Sequence, residues 1–335
     1  MTPYHFVWLY NYSINVIFEN AIKNEMKQKK NIDFFGIGTQ KSGTTWLHYI
    51  LNNIPEFSLP PVKELHYFDR SPNYPSPNYL SEDLFLNRIL KTNWLKVCYK
   101  TLISIIQRDW KSVLFYFKWN FSNYSDTWYL SLFHHFRGFT GEITPSYSIL
   151  SQEDIKRIHK LIPNAKLVLM LRNPIERAWS GYRHYNKRIP NFNFDTVTNE
   201  EIIEFMESEY QTFRSDYVRT LNNYLKVFPN EQILIGFYDA IVDDPTSLLN
   251  NILKHICGNT KVSIKHLNLK KRVNKSPSFK CPPEVKEYLK LKYHDQIKEL
   301  SDKYDGYFTK WYEDAYSEKF SNKNIKLMPT VFAKS

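Results

Sequence analysis

Gly36-Ile37-Gly38-Thr39-Gln40-Lys41-Ser42-Gly43-Thr44-Thr45-Trp46-Leu47 is the stretch on which the fold turns. It opens inside a short apolar run, Asp33 to Gly38, that reads as a buried strand. It closes in Thr44 to Asn53, where Trp46, Leu47, Ile50 and Leu51 share one helical face. Residues 39–43 join the two as a turn. A loop between a buried strand and a helix points backbone N–H groups and the positive end of the helix dipole outward, the physical makings of a phosphate site. Glycines let the backbone approach an anion, and the hydroxyls of Ser42, Thr44 and Thr45 add donors. The chain holds only nine glycines in 335 residues, so Gly36, Gly38 and Gly43 in one segment carry weight.

Outward from this unit, strands and helices alternate. Pro55, Pro60 and Pro61 make 55–63 a loop, and Leu65 to Phe68 reads as a short strand. Residues 70–136 form a variable insertion, irregular around Pro72, Pro75 and Pro77 and then helical and rich in aromatics. Gly138 to Ile143 is a strand stopped by Pro145, and Gln152 to Ile162 a helix. Lys166 to Leu171 is nearly continuous in apolar residues, as a parallel strand buried on both faces must be. Pro174 opens the next helix, where its missing N–H costs nothing. Helices at 200–227, a strand at 232–238, a helix at 246–256 and a long helix from Pro283 complete the pattern. The expected fold is α/β, three-layered, with a mostly parallel central sheet and a P-loop-like nucleotide-binding core. The expected organisation is an N-terminal helix and linker (1–31), one domain (32–310) and a C-terminal tail (311–335).

The spacing from Gly38 to Gly43 is that of a Walker A loop, but Thr44 stands where that motif has its lysine, and Lys41 lies inside the loop. A loop so built suits a terminal group shorter than a γ-phosphate. A second anion site follows. Leu167 to Leu171 leads into Arg172-Asn173-Pro174-Ile175-Glu176-Arg177-Ala178-Trp179-Ser180-Gly181-Tyr182, with Arg172 at a strand end and Ser180 two turns into a helix. The arginine fork suits phosphate. The two segments together resemble the PAPS-dependent sulfotransferases, PAPS being 3′-phosphoadenosine 5′-phosphosulfate. The first resembles their 5′-phosphosulfate loop, and the second their segment R-x-P-x-x-R-x-x-S-x-Y. The resemblance implies that Lys41, Ser42, Gly43, Thr44 and Thr45 bind the donor's 5′ end, with Lys41 at the bridging oxygen and sulfuryl group. It implies that Arg172 and Ser180 bind the 3′-phosphate; Arg177 reads instead as a helix-surface or structural ion-pairing residue.

Lys63-Glu64-Leu65-His66-Tyr67-Phe68-Asp69 is similar to the E-x-H-[FY]-F motif of the heparan sulfate and other glycosaminoglycan-type members, in which the glutamate is the base. On a strand Glu64 and His66 share a face. Glu64 is the first candidate base and His66 the second, with Lys41 stabilising charge on the leaving phosphate. Gly141-Glu142-Ile143-Thr144-Pro145-Ser146-Tyr147 resembles the same members' G-E-K-T-P-x-Y, except that Ile143 replaces lysine; Glu142 is an acceptor-side candidate. The run from Lys265 to Pro277 holds five Lys or Arg and no acid, and resembles a late basic loop that closes over the nucleotide, with Arg272 or Lys275 as the contact.

The formal charge of +11 favours polyanionic ligands. Cys98, Cys257 and Cys281 make neither a disulfide framework nor a metal-ligand spacing, and point to a reduced, cytoplasmic protein without a metal. Val7 to Phe18 is apolar but interrupted by Asn11, Ser13 and Asn15; it falls short of a membrane span, and surface attachment through it is the minor alternative. A carbohydrate is the first expectation for the acceptor, with no nucleic-acid partner. A P-loop nucleotide kinase and a non-enzymatic polyanion-binding protein are the competing readings.

Overall fold

The computed structural model describes residues 32–77, 80, 92–264, 266–271, 279–317 and 325–334. Its strands are β1 (Phe34–Gly38), β2 (Phe57–Ser58), β3 (Phe139–Ile143), β4 (Lys166–Leu171), β5 (Ile233–Phe237) and β6 (Thr330–Phe332). They form one sheet in the order β2-β3-β1-β4-β5-β6. All neighbours run parallel except β5 and β6. Every residue of β1 and β5 is buried, as are Leu167 to Leu171 of β4, so helices cover both faces and the layers number three. That is why these strands read as apolar runs rather than as an alternation. Burial of each Leu, Ile or Phe contributes roughly 1.5–3 kcal/mol, which makes these central strands the main source of the fold's stability.

The helices are α1 (Thr44–Asn52), α2 (Thr92–Ile106), α3 (Trp110–Phe121), α4 (Asp126–Ser131), α5 (Gln152–Leu161), α6 (Pro174–Asn186), α7 (Asn199–Glu207), α8 (Glu209–Ser215), α9 (Tyr217–Leu225), α10 (Tyr238–Asp243), α11 (Pro245–Cys257), α12 (Pro283–Tyr304) and α13 (Tyr307–Tyr316). Most begin as their sequences dictate. Ser151, Asn173, Thr198 and Asp244 cap α5, α6, α7 and α11 by accepting from a first-turn N–H, and Thr198 completes a capping box with Glu201.

Two expectations about the fold are corrected. Leu65 to Phe68 is not a strand. Glu64 and His66 have φ of 66° and 54°, a left-handed conformation that no strand tolerates. The edge strand is instead β2, inside the proline-bounded loop, pairing Phe57 with Phe139. Nor are residues 311–335 a tail. Trp311 in α13 is buried against Phe237, and β6 adds an antiparallel edge to β5, placing Val331 opposite Ile235. The domain thus extends through Phe332.

Candidate active site

The carboxyl edge of the parallel sheet gathers the predicted residues, as expected for ligand sites of open α/β folds. β1 and β4 are hydrogen-bonded neighbours, with Gly38 beside Leu169, so the loop after β1 and the arginine after β4 emerge side by side. Thr39 anchors the loop by donating its N–H to the Met170 carbonyl at 2.6 Å. Gly43 has φ 89°, a left-handed conformation that favours glycine, and a Cβ there would have to push aside the end of the Ile241 side chain, 2.3 Å away. α1 starts at this glycine without a side-chain cap and without an acid in its first turn. Its leading amides, at Thr44 and Thr45 among others, have no acceptor within the helix. α8, α10, α12 and α13 also start without a side-chain cap, but α1 is the one whose free first-turn amides follow the glycine loop at the carboxyl edge of the parallel sheet, where they can receive an anion.

The side chains agree. Lys41 forms no ion pair with any described residue, and its ammonium is held down at about 8, first by burial and then by repulsion from Arg172, Arg183, Lys63 and Arg188. Five cations thus crowd one place. Arg172 is steadied by Glu176, with Nη2 to Oε2 at 2.7 Å, and lies 4.4 Å over the Tyr238 ring. Its carbonyl accepts from the Tyr217 hydroxyl at 2.7 Å. Ser180 is buried on α6. The fixed points of the fit are thus an uncapped helix start, a glycine held at positive φ, and clustered cations; they suit a phosphosulfate with a second phosphate.

Not every loop hydroxyl faces outward. Ser42 is fully buried and bonds the Thr39 hydroxyl at 2.7 Å, bracing the loop from within. Thr45 Oγ1 accepts from Lys63 Nζ at 3.0 Å and so ties α1 to the segment bearing Glu64. Arg177 lies neither at the helix surface nor, among the described residues, in an ion pair with a carboxylate: it is fully buried and donates to the Gln211 amide oxygen. Arg272 and Lys275 lie outside the described residues. The stretches on either side of them are tied down: Leu269 accepts from Trp46 Nε1 at 2.9 Å and Phe279 from Trp179 Nε1 at 3.0 Å.

Glu64 and His66 do meet, although not by sharing a strand face. The two left-handed residues curl the loop so that His66 Nε2 lies 3.6 Å from Glu64 Oε2. Its other ring nitrogen, Nδ1, lies 2.7 Å from Asp69 Oδ2. Asp69 also accepts from Ser76 and Ser146. Burial disfavours the imidazolium, but Asp69 and Glu64 outweigh it and push His66 up to about 9. At neutral pH His66 is therefore a donor, and its candidacy as base is corrected by its two carboxylate neighbours. Burial raises the Glu64 carboxyl, but His66 and Lys63 outweigh it and hold Glu64 at about 2; Lys63 Nζ is 2.7 Å from Oε1. Glu64 and His66 line a cleft of 460 Å³ together with Gln40, Ser146, Arg188 and Arg214.

Glu142 is corrected from acceptor-side residue to core carboxylate. It is 2% exposed. It accepts from the Tyr129 hydroxyl, from Tyr147 at 2.9 Å, from Thr144 at 2.6 Å and from the Leu65 N–H at 3.3 Å. It thereby pins the backbone between Glu64 and His66. Asp69 was quoted in the sequence motif without a role, though its spacing of three from His66 was the available signal. Arg183, three residues beyond Ser180 on α6, was likewise legible from helical spacing; Arg188 and Arg214 carried no signal.

Among the described residues no group of His, Cys, Asp and Glu forms a metal-binding cluster, and no helix is long and apolar enough to cross a membrane.

Comparison with known proteins bears on these features. The chain shares 28% identity with heparan sulfate glucosamine 3-O-sulfotransferase 6 of Mus musculus, over 42% of this chain and 41% of that protein. It shares 27% with carbohydrate sulfotransferase 15 of Homo sapiens, over 65% of this chain and 38% of that protein. The matches span less than half the length of these relatives. A sulfotransferase of Alicyclobacillus acidocaldarius has a similar fold, with a TM-score of 0.53 and 21% identity, covering 82% of this chain and 95% of that one. The cytoplasmic expectation does not stand, because a further relative, 27% identical over 55% of this chain, is the membrane-associated sulfotransferase kil1 of Dictyostelium discoideum. Three unpaired cysteines therefore do not fix the compartment. Residues 33–258, which include β1, its loop, the Glu64 segment and the Arg172 segment, match the model of the sulfotransferase family, and the chain belongs to that family.

Proposed function

We propose that the protein transfers the sulfuryl group of 3′-phosphoadenosine 5′-phosphosulfate to a hydroxyl or amine of a carbohydrate. The observation that carries this reading is the convergence of Lys41 and Arg172, from the ends of adjacent parallel strands, at an uncapped helix N-terminus beside the Glu64 cleft. The donor supplies an activated S–O bond. Lys41 and the first-turn amides of α1 neutralise the phosphate oxygen that takes the electron pair as that bond breaks. Arg172 and Ser180 hold the 3′-phosphate. Glu64 receives the acceptor's proton as the new bond to sulfur forms. A carboxylate held at about 2 is wholly ionised near neutral pH, and a weak base suffices when the proton leaves late, after attack on sulfur has made it acidic. His66, fixed by Asp69, orients Glu64 and keeps it charged. The carbohydrate class follows the named acceptors of the relatives, glucosamine of heparan sulfate among them.

Transfer of labelled sulfate from the donor to a panel of glycans, lipids and phenols tests the proposal. Label appearing on a glycan supports it. Failure to bind adenosine 3′,5′-bisphosphate in the presence of EDTA, or equal affinity for AMP, overturns it.

A further inference from the structure

The helices α2 and α3 belong to none of the chemistry above, and their surfaces are unusual. They pack on each other across the turn at 107–109. The inner side of α3 is anchored in the domain: Phe115 is buried, and Trp119 lies 5.6 Å from Trp128 of α4. The outer side of the hairpin is apolar. On α2, Leu95, Tyr99, Leu102 and Ile106 recur at i, i+4, i+7 and i+11, which sets them on one face, and they are 62%, 65%, 55% and 72% exposed. On α3, Trp110 and Leu114 repeat the spacing at 62% and 42%. A contiguous exposed patch of this kind marks an interaction surface rather than ordinary surface scatter.

The charge around the patch selects the partner. Lys96 and Lys100 each follow a stripe residue, so they stand about 100° around α2 from it. Lys111 follows Trp110 in the same way, and Arg108 sits in the turn; all four are exposed. The hairpin's one acid, Asp109, is spent on the Ser112 N–H as the cap of α3. Apolar stripes carrying Trp and Tyr, edged by cations on long flexible stems, match the acyl–headgroup boundary of an anionic bilayer. A protein interface would be depleted of lysine. We propose that the α2–α3 hairpin is a docking surface for an anionic lipid bilayer, which it enters edge-on without spanning. Because α4 also carries Tyr129, stacked 4.6 Å from Tyr67 in the loop of Glu64 and His66, docking holds that loop at a set height above the membrane.

The test is co-sedimentation of the full chain with vesicles of phosphatidylcholine alone and of phosphatidylcholine mixed with phosphatidylglycerol. Binding to the anionic vesicles is expected to be at least about tenfold tighter, and to weaken with added salt. Leu102→Glu with Ile106→Glu is expected to reduce it about tenfold or more, and Lys96→Glu with Lys100→Glu to remove the preference for anionic lipid. All four positions are exposed, and unchanged thermal unfolding shows that the variants remain folded. No association with either vesicle overturns the proposal, as does association undiminished by the stripe variant. A dimer that the stripe variant dissolves, without vesicle binding, assigns the patch to a second copy and overturns it too. So does vesicle binding that vanishes on removal of residues 1–31 while the stripe variant binds like wild type. None of these outcomes depends on the reaction proposed above.

Discussion

The two halves of the candidate site treat charge in opposite ways. Around Lys41, five cations crowd together, Arg172 steadied by Glu176 and Lys63 by Glu64, and the lysine is driven down to about 8. Around His66, reached from Lys41 through Lys63, opposite charges face each other: Glu64 and Asp69 flank the imidazolium, and Ser76 and Ser146 donate to Asp69 Oδ2, while its Oδ1 is buried without a partner. Crowded like charges cost stability unless something of opposite sign arrives, whereas a compensated triad is stable as it stands. The first half is organised around a ligand that brings negative charge. The second is organised to keep its own geometry, with Glu64, 31% exposed, more open to the cleft than His66 at 6%.

If this division holds, the largest effect comes from Glu64. Glu64→Gln keeps size and reach but not basicity, and is expected to lower turnover by about 10²–10⁴ while leaving affinity for adenosine 3′,5′-bisphosphate unchanged. Turnover near wild type in single-turnover assays removes Glu64 as base.

Next comes the compensated triad itself. His66 stands at about 9 in the folded protein against an ordinary value of 6.5. A raised value means that its stabilisation is complete below pH 6.5 and is lost as pH climbs through 9. The difference corresponds to roughly 3 kcal/mol. Thermal unfolding is therefore expected to show a loss between pH 7 and 10 that His66→Gln lacks; identical profiles contradict the triad.

The cationic half is probed by Arg172→Ala. A hydrogen bond to a charged group contributes roughly 1.5–3 kcal/mol, so nucleotide affinity should fall about ten- to a hundredfold with the fold intact. Unchanged affinity removes Arg172 from the site. A smaller effect accompanies it. A bound anion favours the ammonium of Lys41, so nucleotide binding is expected to take up a fraction of a proton near pH 8 and to weaken above it. Calorimetry in buffers of different ionisation enthalpy reads the uptake, and its absence contradicts the burial of Lys41 among cations.

These contrasts also mark what the sequence made legible. β1, its glycine loop, β4 and Pro174 at the start of α6 were readable because local rules and tertiary demands agree there: apolar runs are buried on both faces, and proline sits where no N–H is needed. Leu65 to Phe68 misled because Leu, Tyr and Phe have strand composition, while the conformation is set by Glu64 and His66 being pulled into left-handed turns by distant partners, Tyr147 and Glu142 among them. β6 escaped notice because a three-residue edge strand has no period to detect. Glu142 looked like a site residue because a glutamate in a motif is ordinarily exposed; only the tertiary fold supplies the two tyrosines and the threonine that let it stay inside.

That last residue offers the smallest functional effect and the sharpest check on the division. Glu142 lies beneath the loop it supports, and burial raises its carboxyl while Thr144, Tyr129 and Tyr147 offset part of that. Glu142→Gln puts an amide where one of two accepting oxygens was. An NH₂ group accepts no hydrogen bond, so it strands the Tyr129 and Tyr147 hydroxyls if it replaces Oε1, or takes the acceptor from the Thr144 hydroxyl if it replaces Oε2, at a cost of roughly 1–3 kcal/mol per stranded donor. The variant is expected to unfold at lower temperature yet bind adenosine 3′,5′-bisphosphate as wild type does, since nothing it touches belongs to the cationic half. Its acceptor KM should likewise stay put below the unfolding transition, because the Glu142 side chain is sealed from the cleft. An acceptor KM that rises several-fold in a variant of unchanged stability would put Glu142 back in contact with the acceptor, and would move the boundary between the two halves one strand deeper, to β3.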